Sequence, residues 1–560
     1  MKYIIIGAVA GGASTAARLR RMDEQAEIVI FERGQYISYA NCGLPYYIGD
    51  VIKDRNKLFV QTAAAFSARF KIDVRVRTEI TGINAAAKTV TAVNLNTGEE
   101  YYESYDKLVL SPGANPVVPP FPGVDLAGIF TIRNVSDTDY IKAYVSKFSV
   151  RKAVIIGAGF IGLEMAENLH NLGLEVSIVE LGNQILAPVD YPIAAIAQQH
   201  LREKGMNLYL NTTVEGFEKD GEKLKVQLRG EDALEADIVI LCIGVKPDTY
   251  LAEVAGLKIG PAKGIQVNEF LQTSDADIYA VGDAIEFENP ISGTSMVTYL
   301  AGPANKQGRI CATNIAFGNK QSYKGSINTA IVKLFDLTIA VAGMAVKHLQ
   351  RSGIDHLVST THGNSHASYY PGAEMMSIQI AFAPDSGTLL GAQVIGRKGV
   401  DKRLDLLASV IRNKGTIYDL TEIEHSYAPP FSSAKDPVNM AGFVAENILL
   451  GRLQVVQCDA LAYIDYNDIL IDVRTEQEYD TGSIPGAVNI PLDELRARLD
   501  EIPEAKNIYI FCQQGLRGYL AQRILVQSIP NSVVNLSGGY FLWKNYCKEK
   551  MLLEGEVECA

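Results

Sequence analysis

Cysteine is scarce in this 560-residue chain, and none of its seven cysteines has a second within seven positions. There is therefore no CxxC or CxxxxC pair. An odd, scattered set is unlike the disulfide framework of a secreted domain, so a reducing, cytoplasmic setting is expected. Long apolar runs are missing too: no uncharged stretch of about 18 residues exists to span a bilayer. The opening MKYIIIGAVAGGASTAA has the lysine, apolar run and small residues of a signal peptide. Glycines break that run and AARLRRM continues it as a helix, so it reads as strand, loop and helix. Basic residues fall short of acidic ones, 52 against 64, for a net charge of −12. That leaves no general basic footprint for nucleic acid or an anionic membrane. His362 and His366 stand at i,i+4 spacing, but Gly363 and Asn364 between them point to a loop, so no metal site is expected.

What is present is core and repetition. With 48% hydrophobic residues and this length, about four domains are expected. The chain opens with strand, loop, helix over about 12–23 and strand AEIVIFE, and the pattern returns as KAVIIGAGFIGLEMAENLHNLGLEVSIVE. Two dinucleotide sites are implied. YDKLVLSPGANP and TSDADIYAVGDAIEF read as strands returning to the first sheet, which makes the second βαβ unit an insertion in the first domain. The predicted fold is α/β, with two nested Rossmann-like domains: 1–112 with 245–322, and 113–244. An α+β unit over 323–450, with helices near 402–414 and 436–450, and a small α/β unit over 456–560 follow.

Gly157-Ala158-Gly159-Phe160-Ile161-Gly162 is a full GxGxxG between strand and helix, with Glu180 placed 23 residues past its first glycine. The glycines let a pyrophosphate approach the helix N-terminus, and Glu180 would hold an adenosine ribose. Leu181 and Gly182 follow it with no arginine, and a carboxylate repels a 2′-phosphate, so NADH is expected over NADPH. The first loop keeps Gly7, Gly11 and Gly12 but has Val9 at the second glycine position; Glu32 sits where a ribose ligand belongs, and Asp283 ends a later strand. Cys42 stands alone in SYANCGLPYYIG. A single thiol cannot close a local disulfide, so on oxidation it must form a mixed disulfide, persulfide or sulfenate with an outside compound. A helix starting near Leu44-Pro45 is expected to lower its pKa. Cys512 opens CQQGLRG between a strand and a helix, where successive backbone N–H groups, Arg517 and the helix start could cradle a thiolate or persulfide.

Over roughly residues 1–450 the chain resembles the two-dinucleotide-domain flavoprotein disulfide reductases, and SYANCGLPYYIG with GAVAGG is similar to the coenzyme A disulfide reductases. The resemblance implies FAD at the first site, with Arg33 beside Glu32, and NAD(P)H at the second, with Glu164 among the cofactor contacts. It makes 323–450 a dimerisation domain and the protein a homodimer. It places Ser14, Arg18, Arg21, Ser38 and Asn41 around CoA, as bound ligand or substrate. It also assigns Tyr427, with Tyr369 or Tyr370, to the departing thiolate from across the dimer. Peroxidases and oxidases of the superfamily carry a histidine where this chain has Ala10, which weakens a peroxide reading. LIDVRTEQEYDTGSIPGAVNIP with the Cys512 loop resembles a rhodanese domain, with Ser483 at a usual histidine of structural role. The implied activity is NADH-dependent reduction of CoA persulfide, polysulfide or CoA disulfide at Cys42, with Cys512 handling sulfane sulfur. The rival readings are an NADH oxidase or peroxidase using a Cys42 sulfenate, and a redox-gated sulfur carrier. Cys242, Cys311, Cys458, Cys547 and Cys559 are expected to be structural or incidental.

Overall fold

The computed structural model describes residues 1–147, 149–465, 467–502 and 505–554, so Cys559 lies outside the described residues. The chain forms two compact units: Met1–Val179 with Thr213–Asn328, and Glu180–Thr212 with Thr329–Ala560.

In the first unit, Lys2–Ile6 is the middle of a five-stranded sheet. Lys107–Leu110 and Ile278–Ala280 lie on one side of it and Glu27–Glu32 and Asp73–Val76 on the other, every pair parallel. Its strands read as unbroken apolar runs because both faces are covered; Ile4, Ile5 and Ile30 are fully buried. Lys107–Leu110 and Ile278–Ala280 are neighbours in this sheet although the second GxGxxG unit lies between them in sequence. That second unit is the expected insertion. Its strands Glu175–Val179, Lys152–Ile156, Ile238–Leu241 and Ile129–Thr131 run parallel in that order. Both first strands turn sharply into their helices. Gly7 has φ +94°, and a Cβ there would meet the Ser111 carbonyl oxygen at 2.1 Å; Gly157 has φ +101°, and its Cβ would meet the Cys242 oxygen at 2.4 Å. Only glycine fits either turn.

In the second unit, an antiparallel sheet runs Ala330–Leu334, Leu337–Gly343, Leu389–Gly396, Met375–Phe382, Leu357–Asn364. Helices Val400–Arg412 and Pro437–Leu449 fall within two residues of the expected 402–414 and 436–450. His362 corrects the sequence reading: it sits inside the edge strand Leu357–Asn364, not in a loop. The strand continues through Gly363, which pairs with Met376, and Pro437 packs so close that a Cβ there would meet it at 2.9 Å. A parallel sheet follows, ordered Val455–Val456, Ser532–Leu536, Asn507–Phe511, Ile469–Asp472, Val488–Asn489, with helix Leu516–Leu525 after the Cys512 loop. The last helix, Gly539–Glu554, buries Glu549 completely, where it accepts hydrogen bonds from Gln198, Gln199 and Arg202.

A buried ion pair ties the antiparallel sheet to its helices. The Arg403 Nη2 donates to Asp436 Oδ2 at 2.7 Å and to the Ser365 oxygen at 2.9 Å, and both charged side chains are essentially without solvent contact. Asp436 also accepts from the Ser432 hydroxyl and the Val438 N–H. Removing one member of such a pair leaves the other uncompensated. We expect Arg403→Met to cost about 3–5 kcal/mol of stability, read as a lowered unfolding midpoint for the second unit; a midpoint equal to the parent's would show that Asp436 is neutralised without Arg403.

Candidate functional site

A cleft of about 240 Å³ in the first unit is walled by the Gly7–Gly11 loop, Glu32, Arg33, Cys42 and Asp283. The sequence separates these residues by up to 276 positions, and the sheet gathers them at the carboxyl ends of its strands, where ligands bind in open α/β sheets. The loop is closed tightly: a Cβ at Gly12 would meet the Gly7 oxygen at 1.9 Å, and one at Gly11 the Ser111 Oγ at 2.9 Å. Helix Ala10–Met22 has no acidic residue in its first turn and no side chain capping its start, so its free N–H groups suit a diphosphate. Glu32 is held in place by the N–H groups of Ala8 (3.0 Å) and Gly34 (2.8 Å). Arg33 reaches Asp248 and Asn115. These residues fit a flavin dinucleotide, with Gly7–Gly12 at the diphosphate, Glu32 at the ribose and Asp283 at the far end.

The second loop shows the same fit by a different observation. A Cβ at Gly162 would strike the Gly157 oxygen at 2.0 Å, whereas one at Gly159 would meet nothing within 4 Å. Gly159 thus has open space in front of it, as a helix start that could receive a phosphate requires. Glu180 directly follows the strand Glu175–Val179 and accepts the Gly182 N–H at 2.7 Å.

Cys42 is exposed, in a short 3₁₀ turn, Asn41–Gly43. The helix Leu44–Ile48 exists as expected, but its supposed effect on the thiol is overturned. Protein packed around the sulfur pushes its pKa up, Glu164 and Asp283 add to this, and only the Cys42 backbone N–H opposes it. Five residues of helix are too short to outweigh desolvation and two carboxylates. Glu164 lies on helix Phe160–Asn171 and accepts a hydrogen bond from Tyr46 at 3.1 Å. Burial raises its pKa to about 7, the Tyr46 bond working against the shift and Glu167 with it. Tyr46 was not legible as a site residue, although its position one helical turn past Cys42 was a usable signal.

Around the first helix, Ser14 donates to Asn305 at 2.5 Å. Arg18 has a buried Nε without a hydrogen-bond partner among the described residues. Burial, then Arg309, then Arg21 lower the Arg18 pKa. Arg309, on the distant helix Ala301–Phe317, thus acts on Arg18 more strongly than Arg21 does, and it escaped the sequence reading. Ser38 adopts the left-handed φ of +46° and donates its N–H to the Ala8 oxygen, and Asn41 lines the cleft. In the second unit, Tyr369 and Tyr427 meet through their hydroxyls at 3.0 Å, both exposed. Tyr370 instead sets its ring edge against His366 at 5.7 Å.

The Cys512 loop folds over its own sulfur. The Gly515 N–H donates to Cys512 Sγ at 3.1 Å from a backbone with φ +122°. Arg517 binds both oxygens of Glu478, at 2.6 and 2.7 Å, and that pair holds Glu478 down to about 2. The expected positive field of Arg517 is thus shared with a carboxylate. Glu478 was legible only as the N3 residue of the capping box begun by Thr475. Ser483 donates to Asp472, which also receives Arg474. Behind the loop, the Tyr540 N–H donates to the Cys512 oxygen at 2.8 Å and the Phe541 N–H to the Gln513 oxygen at 3.1 Å. Cys458 and Cys547 are buried in the core of the same domain.

Comparison with known proteins follows these divisions. Residues 1–308 match the pyridine nucleotide-disulphide oxidoreductase model, 329–437 its dimerisation domain, and 459–546 the rhodanese-like domain. A coenzyme A disulfide reductase of Staphylococcus haemolyticus is 35% identical over 449 residues, covering 80% of this chain and all of that one. The reduced Bacillus anthracis CoADR-RHD superposes with a TM-score of 0.96 at 48% identity, covering 98% of both chains. An NAD-dependent persulfide reductase from A. fulgidus gives 0.91 at 36%, covering 97% of this chain and all of that one.

Removing the carboxylate that acts most strongly on Cys42 should ease ionisation of the cleft thiol. We expect Glu164→Gln to move the pH dependence of Cys42 alkylation by iodoacetamide to lower pH in the reduced enzyme, since a carboxylate that raises a thiol pKa ceases to do so once it is an amide. An unmoved profile would assign the raised pKa to desolvation alone.

Proposed function

The chain belongs to the pyridine nucleotide-disulphide oxidoreductases, flavoproteins that imply FAD and a pyridine nucleotide, and carries a rhodanese-like domain; from that premise we propose that it is a homodimeric NADH-dependent reductase of CoA persulfide and CoA disulfide. The observation that carries this reading is Cys42, an exposed cysteine without a local partner in the cleft of the first dinucleotide loop. The Cys42 thiolate attacks the CoA-bearing sulfur of the substrate, the S–S bond breaks, and sulfide leaves from CoA persulfide or CoA thiolate from CoA disulfide. Cys42 is left in mixed disulfide with CoA. FAD, held by the Gly7–Gly12 loop, Glu32 and Asp283, would supply the two electrons of the pyridine nucleotide needed to restore the Cys42 thiol and release CoA. Each turnover so consumes one NADH and one proton per persulfide or disulfide.

The other groups have roles that follow from their chemistry. Ser14, Arg18, Arg21, Ser38 and Asn41 bind CoA, the arginines meeting its phosphates. Tyr427, with Tyr369 hydrogen-bonded to it, gives a proton to the departing thiolate in the partner's cleft. At the rhodanese-like domain, the Cys512 thiolate takes the sulfane sulfur of a donor such as thiosulfate, releasing sulfite, and CoA thiolate removes that sulfur as CoA persulfide. The likeness, over 97% of this chain, to a protein named as an NAD-dependent persulfide reductase supports persulfide as a substrate class.

Cys42→Ser and Cys512→Ser separate the two sites. The first variant is expected to keep FAD and its reduction by NADH while losing turnover with both CoA substrates. The second should keep turnover with preformed CoA persulfide and lose NADH consumption with thiosulfate and catalytic CoA. Reductase turnover persisting in Cys42→Ser would refute the nucleophile, and peroxide-dependent NADH oxidation without any thiol substrate would favour a sulfenate instead.

For the nucleotide, Glu180 and the absence of an arginine in Leu181-Gly182 favour NADH. We expect a higher kcat/KM with NADH than NADPH, and Glu180→Ala to narrow the gap; parity in the parent enzyme would mean that a residue remote in sequence meets the 2′-phosphate.

A further inference from the structure

The edge strand Leu357–Asn364 of the antiparallel sheet runs against the turn Ser537-Gly538-Gly539, which lies behind the Cys512 loop. The Thr360 N–H donates to the Ser537 Oγ at 3.0 Å. His362 Nε2 is 2.9 Å from the Gly538 carbonyl oxygen, and its Nδ1 is 2.8 Å from the Ser377 hydroxyl. A carbonyl only accepts, so Nε2 carries the proton; in the neutral ring Nδ1 is then the acceptor, and Ser377 donates to it. Desolvation lowers the His362 pKa to about 4, against the pull of the Gly538 carbonyl, so the ring is neutral at physiological pH. Phe541 packs edge-on against the ring, with centroids 5.3 Å apart.

From this turn the hydrogen bonds continue into the loop. The Tyr540 and Phe541 N–H groups hold the Cys512 and Gln513 oxygens. Gly539 makes the approach possible: a Cβ on it would meet the Cys512 oxygen at 2.6 Å. On the loop's other side, Gln514 donates to the Met375 sulfur at 3.1 Å, on the strand paired with that of His362. Two strands of one sheet thus grip the sulfur loop, one through the turn behind it and one directly.

We infer that His362 is a positioning residue for the Cys512 loop: by donating to the Gly538 carbonyl it fixes the turn that sets the direction of the Cys512 and Gln513 carbonyls, and so the aim of the Gly515 N–H at the sulfur. The inference rests on the reading of Cys512 as the sulfur acceptor. A partly buried, neutral imidazole with each nitrogen engaged in one direction is a rigid strut, because its two bonds hold the ring between Ser377 and Gly538.

The test compares two substitutions of similar size in the full-length holoenzyme. His362→Met fills the space and cannot donate; His362→Gln fills it and can donate to Gly538. With thiosulfate as donor and cyanide as acceptor, His362→Met is expected to lower kcat about tenfold at unchanged KM for thiosulfate, and to speed hydrogen exchange in the peptide spanning 511–518. His362→Gln should stay within about twofold of the parent in both readouts. Reduction of CoA disulfide is expected to stay at the parent rate in both, which reports an intact flavin site. If His362→Met unfolds, Ser377→Ala serves instead: it removes the donor that sets the tautomer, and faster exchange in the same peptide is expected. Parental exchange and kcat in His362→Met would overturn the inference, as would equal losses in the Met and Gln variants. A Cys512→Ser enzyme that still transfers sulfur would remove the underlying reading of Cys512, and exchange in the loop would still decide whether His362 positions it.

Discussion

Everything at the cleft of the first unit depends on a steric constraint: strand and helix meet with no space for a Cβ between them. Gly12 lies so close to Gly7 that an added carbon would overlap the carbonyl at 1.9 Å, and the second loop repeats this between Gly162 and Gly157 at 2.0 Å. The close approach fixes where the helix begins and so where its unpaired N–H groups point. Glu32 is then clamped by the Ala8 and Gly34 amides at the end of the neighbouring strand. The cleft inherits its shape from these contacts, and Cys42 opens onto a wall they have already set.

The thiol itself shows how competing effects resolve. A helix start favours a thiolate by a fraction of a charge spread over one turn. Around Cys42, loss of solvent and two carboxylates act in the opposite sense, and they win. The Cys42 thiol is thus harder to ionise than a free cysteine. Glu164, which acts on this thiol, has its own pKa raised by burial to about 7 and accepts a hydrogen bond from Tyr46, so its charge changes around neutral pH.

Much of this was legible in the sequence because it depends on near neighbours. Gly157, Gly159, Gly162 and Glu180 announce themselves by spacing, and the strand, loop and helix around Gly7 by apolar run and glycine. The isolation of Cys42 is visible by counting. What escaped was assembled from afar: Arg309 acts on Arg18 across nearly 300 positions, and Glu478 pairs with Arg517 while serving its own helix cap. His362 was misread as loop because Gly363 follows it; the strand runs on through the glycine and Pro437 packs against it, a contact the local sequence cannot reveal. Of the adjacent tyrosines, only a fold could choose which one reaches Tyr427.

The burial of Glu549 bears on how this chain can be cut. By composition the join near residue 450 is an ordinary connection, and a smaller protein could be imagined to stop there. Yet Gln198, Gln199 and Arg202, on a helix some 350 positions earlier, direct their side chains to a carboxylate in the last helix. Excision at the apparent seam would leave those three donors facing water around an apolar footprint. The two parts are separate as folds but not as surfaces, so a fragment ending at the seam, whether made in the laboratory or by gene fission, would expose Tyr191 and Ile196, which now pack against the last domain.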